Sequence, residues 1–428
     1  MADRTRRDVL AAGVGALGAC ALGSGAVGTV RADAPRVSVA TRNCYLGADL
    51  FRLLAAATVG EGSVRDAIGE LVAAVDRSHV ERRLDAVAAE LGRTEPDLVG
   101  IQEAALLRTG PPSEGTTPTA TDVRYDFREL LVSALDERDL PYRVVAAAET
   151  TDVQLPGRVD GERRDVRLTD RDLILAREGV TTTEPVTDTF DAAFSVTQNE
   201  RTLTVERAYG IVDATVGDGR LTFCNTHLEA ASAETRAEQA AELRAALGDV
   251  RDPVVLVGDL NDGPGGSDGA YARLTETFTD VAGGSGPTCC HAADLRNPEP
   301  SLGSRIDHVL VRGELRATGV TRVGVDPAER IAVDGDRLWP ADHAGVVATL
   351  APGTQAASAT TEPATATTSA PATTTPMDAA TGATTAETDA TGTDPDADSA
   401  TTAPGFGAAT ALGSLVAAAL AARSRSAE

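Results

Sequence analysis

Between residues 36 and 350, short β-branched runs alternate with stretches whose apolar residues recur at helical spacing, and this alternation restricts the fold more than any other property of the chain. Strands are predicted at 36–46, 97–103, 142–147 and 166–177, with helices at 67–91 and 124–137. The second half repeats the rhythm with strands at 209–216, 221–228, 254–260, 304–311 and 343–350, and a helix at 232–247. Strands interspersed with helices predict a layered α/β fold. Two polar stretches containing Gly and Pro, 108–122 and 150–164, are expected to be loops bordering a cleft.

Both ends of the chain differ from this central part. Residues 1–32 contain Arg6-Arg7-Asp8-Val9-Leu10 followed by an uncharged Gly/Ala/Val/Leu run, the pattern of a twin-arginine export signal, with cleavage expected after Ala32. A lipoprotein site at Cys20 is the second choice for processing. Residues 351–403 are dominated by Thr, Ala, Ser and Pro. They bury too little apolar surface to offset chain entropy and are expected to form an extended stalk. Residues 404–428 open with Pro404-Gly405-Phe406, continue as an uncharged apolar span and close with Arg423 and Arg425. This tail resembles the PGF-CTERM surface-sorting signal of haloarchaea. The resemblance implies a sortase-like processing enzyme and a lipid anchor; an ordinary membrane anchor is the plainer alternative. The expected location is therefore the outer cell surface, reached through the Tat machinery, with residues 33–350 as one large α/β domain.

Charge narrows the partners. The formal net charge is −25, and no lysine occurs, so all 39 basic residues are arginine. With the ends set aside, residues 33–350 carry −21. A basic stripe of the kind that tracks a nucleic-acid backbone is not expected. Extreme acidity suits a protein that works in strong brine, where the Debye length falls to about 3 Å and self-repulsion is screened. Cys44 and Cys224 fall in predicted strands and read as buried thiols. Cys289-Cys290-His291 lacks the spaced second pair of a structural zinc site.

The chemistry concentrates where predicted strands end. Asn43 lies in TRNCYLGADL, Glu103 in VGIQEA, Asn225 and His227 in FCNTHLEA, and Asp259 and Asn261 in VLVGDLND. Asp307 in SRIDHVLV and Asp342-His343 in PADHAGVV complete the set. Period-two alternation puts Asn225 with His227 on one strand face, and Asp259 with Asn261 on another, so both pairs can point into one cleft. His79, His291 and His308 are expected to be ordinary packing or surface residues.

Taken in order, N, QE, NTHL, GDLN, RIDH and DH resemble the endonuclease/exonuclease/phosphatase family, over nearly the whole of residues 37–350. The resemblance implies a four-layer sandwich of two mixed β-sheets flanked by helices, as in deoxyribonuclease I, and a metal-dependent phosphoric-ester hydrolase. It implies that Glu103, with Asn43 and Asp342, holds Mg²⁺ (or Mn²⁺ or Ca²⁺) through hard oxygen ligands. Asp259 would take the proton of the attacking water, oriented by Asn261. His343, held by Asp307, would contact the phosphate or protonate the leaving group. His227 and Asn225 would donate hydrogen bonds to phosphoryl oxygens.

The leading expectation is a monomeric, surface-tethered phosphodiester hydrolase, an extracellular nuclease. A phospholipase C-like, sphingomyelinase-like or sugar-phosphate phosphatase activity is the runner-up. A stalked binding module without catalysis is the reading from a different class. It predicts the loss of a ligand, the base or the dyad, all of which are present. The family's third-strand phosphate contact has no clear match, since RDLILAR offers only Arg171 or Asp172.

Overall fold

The computed structural model describes residues 36–353, apart from 51, 53–55, 57–60, 115–116 and 199–200. The expected export signal, the stalk beyond residue 353 and the C-terminal anchor lie outside the described residues. Among the described residues no helix is long and apolar enough to cross a membrane.

In chain order the first half comprises β1 (Val37–Asn43), α1 (Glu61–Arg77), α2 (Val80–Thr94), β2 (Leu98–Gln102), β3 (Leu106–Gly110), β4 (Asp122–Asp126), α3 (Phe127–Asp136), β5 (Tyr142–Val159) and β6 (Glu162–Arg177). The second half opens with β7 (Thr181–Thr182), β8 (Val186–Thr189), β9 (Phe194–Gln198), β10 (Arg201–Val205), β11 (Ala208–Val216) and β12 (Gly219–His227). It continues through α4 (Ala233–Gly248), β13 (Val254–Asp259), α5 (Ala270–Thr275), β14 (Thr279–Asp280) and β15 (Asp307–Arg312). It closes with β16 (Leu315–Val323), β17 (Ile331–Val333), β18 (Asp336–Leu338) and β19 (Gly345–Pro352).

An eight-stranded sheet runs β16-β19-β1-β2-β6-β3-β4, with β5 along the other edge of β6. A seven-stranded sheet runs β14-β15-β13-β12-β11-β7, with β8 also on β11. Both are mixed, since β1/β2 and β12/β13 are parallel and their neighbours antiparallel. The sheets face each other across a core that includes Val39, Leu98, Ile174, Phe223, Val255 and Val309. Helices α1, α2 and α3 cover the outer face of the first sheet through residues such as Leu84, Val87 and Leu131. Helix α4 covers the second through Leu243 and Leu247. The result is the expected four-layer sandwich.

Burial on both faces explains why β13 reads as an unbroken apolar run: Val255 and Val257 point between the sheets while Val254 and Leu256 point at α4. At Gly100 the two sheets approach closely. A Cβ there would lie 2.5 Å from Asn225 Oδ1 and 2.6 Å from Val257 Cγ2.

Four expectations change. The helix predicted over 67–91 is two helices, broken at Ser78-His79. His79 takes a left-handed φ of 52° and Ser78 Oγ donates to the Val75 carbonyl. The 150–164 stretch is not a loop but a long β5–β6 hairpin, turned at Asp160-Gly161 with φ of 53° and 81°. An Asp-Gly pair with two positive φ values is the favoured two-residue hairpin turn, which makes it the signal for this element. In the 108–122 stretch, Arg108–Gly110 completes β3. The start of the predicted 124–137 helix is β4 instead, and α3 begins at Phe127 because Asp126 caps it, accepting from the Arg128 and Glu129 amides.

Candidate active site

Strand registry brings the motif residues together. His227 pairs in register with Asp259 across β12/β13, and Asp259 pairs with Asp307 across β13/β15. Register partners share a sheet face, so His227, Asp259 and Asp307 form one row across the strand ends of the second sheet. On the first sheet Asn43 ends β1 and pairs with Gln102, directly before Glu103. The strand ends of both sheets open on the same side, and Asn43 spans the gap: its amide donates to Glu103 Oε1 at 3.0 Å and to Asp259 Oδ2 at 3.1 Å.

Backbone conformation aims these groups. Tyr45, Glu103 and Asn261 all have positive φ, of 56°, 57° and 48°. Left-handed backbone at non-glycine residues costs energy and persists where surrounding contacts enforce it. At Glu103 the enforcement comes from Arg171, whose Nε donates to the Ala104 carbonyl at 2.9 Å while its guanidinium pairs with Asp126. At Asn261 the main-chain N–H donates to Asp259 Oδ1 at 2.8 Å, closing a tight turn. Gly258 precedes it with φ of 151°, where a Cβ would lie 2.0 Å from the Thr226 carbonyl oxygen.

Two fully buried arginines brace the loops behind the site. Arg42 pairs with Glu90 at 2.9 Å and donates to the His343 carbonyl. Arg83 donates to the carbonyls of Cys44 (2.8 Å), Tyr45 (3.0 Å) and Pro340 (3.2 Å). These contacts hold the segment carrying Asp342 and His343 against the end of β1.

The two site histidines are held in opposite states. His343 Nδ1 lies 2.9 Å from Asp307 Oδ2 and 3.7 Å from Asp259 Oδ2. Burial alone would lower its pKa, but Asp307, Asp259 and Asp342 override burial and raise it well above the usual value. His227 goes the other way: burial, Arg207 and His343 lower its pKa well below the usual range. Its Nδ1 is 3.0 Å from Arg207 Nη1. Its other ring nitrogen, Nε2, lies 3.0 Å from the Asn261 amide nitrogen, so the ring is held between Arg207 and Asn261. Asp259 is pushed up to about 6 by burial and by Asp307, against His343.

Asp307 and Asp342 each keep one carboxylate oxygen, Oδ1, buried without a hydrogen-bond partner. At Asp342, burial with Glu103 and Asp259 nearby pushes the pKa up to about 7, against His343. An unpartnered carboxylate oxygen in a crowd of carboxylates is the donor chemistry a hard divalent cation satisfies, so the residues present fit the expected ion. Asp259, Asp307 and His343 form the tighter group able to hold a metal, with ligand atoms within 4.8 Å of one another.

Two expected roles do not survive the geometry. Asn225 gives both amide hydrogens to main-chain carbonyls, Ile101 at 3.0 Å and Leu173 at 2.9 Å, and accepts from Gln102 Nε2 at 2.6 Å. It is a polar pin between the sheets with nothing left for a phosphoryl oxygen. Asn43, expected as a metal ligand, turns its NH₂ towards both carboxylates and uses Oδ1 to accept from the Tyr45 amide at 2.8 Å. It fixes the spacing of Glu103 and Asp259 instead. Glu103, His227, Asp259, Asn261, Asp342 and His343 all line one cleft, and Asp307 stands behind His343.

The residue missed by sequence reasoning is Arg207. It lines the cleft beside His227 and lies 3.8 Å from Asp170 Oδ2 and 3.7 Å from Glu229 Oε2. Its signal was its position directly before β11, the strand paired with the NTHL strand. Arg171 serves the Glu103 turn, and neither it nor Asp172 lines the cleft, so neither offers the third-strand phosphate contact. Cys44 and Cys224 are buried free thiols as expected, and Cys289 and Cys290 are joined to each other. Helix α4, capped by Ser232, is scaffold.

A four-layer sandwich whose strand ends carry carboxylates, amides and two histidines has the side-chain chemistry of a phosphoester hydrolase. The sequence matches the Endonuclease/Exonuclease/phosphatase family over residues 72–343, well over half the chain, and the protein belongs to that family. No curated protein matches it. Among solved structures it is similar to an endonuclease/exonuclease/phosphatase family protein from Bacteroides thetaiotaomicron, with 15% identity and a TM-score of 0.45 over 74% of this chain and 98% of that one. It is also similar to truncated Caenorhabditis elegans TDP2, with 16% identity and a TM-score of 0.42 over 74% and 97%. A mannosyl-6-phosphatase of Bacteroides thetaiotaomicron aligns with 16% identity and a TM-score of 0.42 over 73% and 99%.

Proposed function

We propose that this chain is a divalent-metal-dependent phosphodiester hydrolase that acts outside the cell while tethered to its surface. The observation that carries the catalytic part is the His227–Asp259–Asp307 row facing Glu103 and Asp342 across the Asn43 bridge, with His343 hydrogen-bonded to Asp307. The twin-arginine motif and the Pro-Gly-Phe tail support export and tethering.

Glu103 and Asp342 would hold the cation, which when bound neutralises phosphoryl charge as a Lewis acid. Asp259 accepts the proton of a water that attacks phosphorus, and Asn261 on the adjoining turn orients that water. His343, kept charged by Asp307, donates a proton to the leaving oxygen as its bond to phosphorus breaks. Neutral His227, held between Arg207 and Asn261, keeps the Asn261 amide in place beside Asp259.

The test uses the full chain with bis-p-nitrophenyl phosphate in molar salt. We expect turnover with Mg²⁺, none with excess EDTA, and a loss of about 10²–10⁴-fold in Asp259→Ala and His343→Ala, the range for removing a general acid or base. Turnover indifferent to EDTA, or intact in either variant, would remove the mechanism.

A further inference from the structure

The catalytic residues occupy only one end of their cleft. The cavity measures about 530 Å³, and away from Glu103 and Asp259 much of its wall is hydrocarbon, interrupted by Asp49 and Thr151. Val153 and Leu155 from β5, Leu168 from β6, Phe194 from β9, and Leu203 and Val205 from β10 all line it, and each is left only half-buried. Leu50, one of two large apolar side chains exposed among the described residues, stands at the same cavity with 43% of its surface open. Single exposed leucines are ordinary, whereas a continuous apolar wall opening onto a reactive centre marks a binding surface.

The polar inventory of this cavity is equally specific. Among the described lining residues, Arg207 is the one permanent cation, and Asp170 and Glu229 flank it. A polynucleotide needs a track of cations for its successive phosphates and aromatic faces for its bases. The lining offers only Tyr45 and Phe194 as such faces, and the Tyr45 hydroxyl is tied to the Ala293 carbonyl at 2.8 Å. A cluster of charged groups at one end and a largely aliphatic trough at the other complement a substrate with the same polarity.

We infer that the trough seats the hydrocarbon part of the substrate, so that the enzyme acts on an amphiphilic phosphoester whose phosphate lies at Asp259 and His343 and whose aliphatic chain lies along β5, β6 and β10. This rests on the phosphoesterase reading for the reaction, but chain recognition can be measured without it. The hydrolysis is the same step: water adds to phosphorus, the bond to the leaving oxygen breaks, and that oxygen receives the proton. The chain contributes binding alone.

Two measurements on the full chain, in molar salt with Mg²⁺, separate recognition from turnover. The first titrates methyl-, butyl- and octylphosphonate, which cannot be hydrolysed, by calorimetry. The second measures kcat/KM for the matching alkyl p-nitrophenyl phosphates below their micelle concentrations. A methylene taken fully out of water contributes about fourfold. A half-open trough realises a part of that, so both affinity and kcat/KM are expected to rise about 100-fold or more from methyl to octyl. Leu203→Ser, on the outlying β9–β10 hairpin, is expected to cut that ratio by about tenfold. Equal binding and turnover at every chain length would overturn the inference while leaving the phosphoesterase intact. A DNA oligonucleotide that displaces octylphosphonate at lower concentration, or is cleaved with higher kcat/KM than the octyl ester, would overturn it in favour of a nuclease. Chain-dependent phosphonate binding without hydrolysis of any ester would support the trough and refute the proposed reaction.

Discussion

Replacing Asp307 with asparagine isolates the carboxylate that holds His343. The change is nearly isosteric, and the side chain is fully enclosed, so packing around it is conserved. What is lost is a charge-assisted hydrogen bond of 2.9 Å to Nδ1. Such bonds contribute about 1.5–3 kcal/mol, which at about 1.36 kcal/mol per tenfold is a rate loss of about 10- to 150-fold. Asp259 Oδ2, 3.7 Å from the same nitrogen, keeps part of the imidazole's electrostatic support, so the loss is bounded rather than total. The fall is expected in kcat with KM nearly unchanged, because Asp307 touches the substrate only through His343. The double variant Asp307→Asn/His343→Gln supplies the sharper reading. If the aspartate acts through the histidine, the double variant is about as slow as His343→Gln alone, as for residues that work as a unit. Steady-state rates on bis-p-nitrophenyl phosphate, with a thermal melt of each variant, decide it. Losses that multiply, or an Asp307→Asn enzyme within threefold of the parent, would refute the dyad.

Two further outcomes follow from the braces around the site. Glu90→Gln leaves the Arg42 guanidinium buried without its counter-charge and is expected to cost about 3–5 kcal/mol in urea unfolding, while Arg42→Met/Glu90→Leu recovers much of it; equal stability of Glu90→Gln and parent would show the pair to be incidental. Asn225→Leu strands the Ile101 and Leu173 carbonyls and the Gln102 amide, and is expected to lower stability by about 3 kcal/mol or more with activity per folded molecule retained; a loss of kcat at unchanged stability would return Asn225 to the phosphate.

Much of the site could be read from the residues because its members sit where strands end, and strand ends announce themselves: an apolar run stops and a carboxylate, amide or imidazole follows. The reading faltered where depth mattered. Asn225 and His227 share a face of β12, as period two requires, yet only one reaches the cleft. Residue 225 lies under β2 and β6 of the opposite sheet, whereas 227 stands at its rim. The alternation of a strand reports which side a residue takes, but not what covers that side. Arg207 escaped for a related reason, since an arginine directly before a strand looks like any solvated charge until His227, Asp170 and Glu229 are placed around it.

The β5–β6 hairpin is the plainest failure of local reading. Its strands are long, twisted and half-exposed, so Thr, Gln, Arg and Pro interrupt the apolar pattern, and only Asp160-Gly161 betrays the turn. That hairpin then supplies Val153, Leu155 and Leu168 to the cleft.

By itself the sequence determined the alternation of strands and helices, the order of the chemical groups and an acidity that leaves a cleft without a track of cations, because these depend on residue type and spacing along the chain. Only the tertiary structure decided which groups share a cleft, that Asn225 and Asn43 are pins rather than substrate or metal contacts, and that hydrocarbon walls the far end of the site. Those facts depend on contacts between residues as far apart as Asn43 and Asp259, and on what the facing sheet covers, which no local pattern encodes.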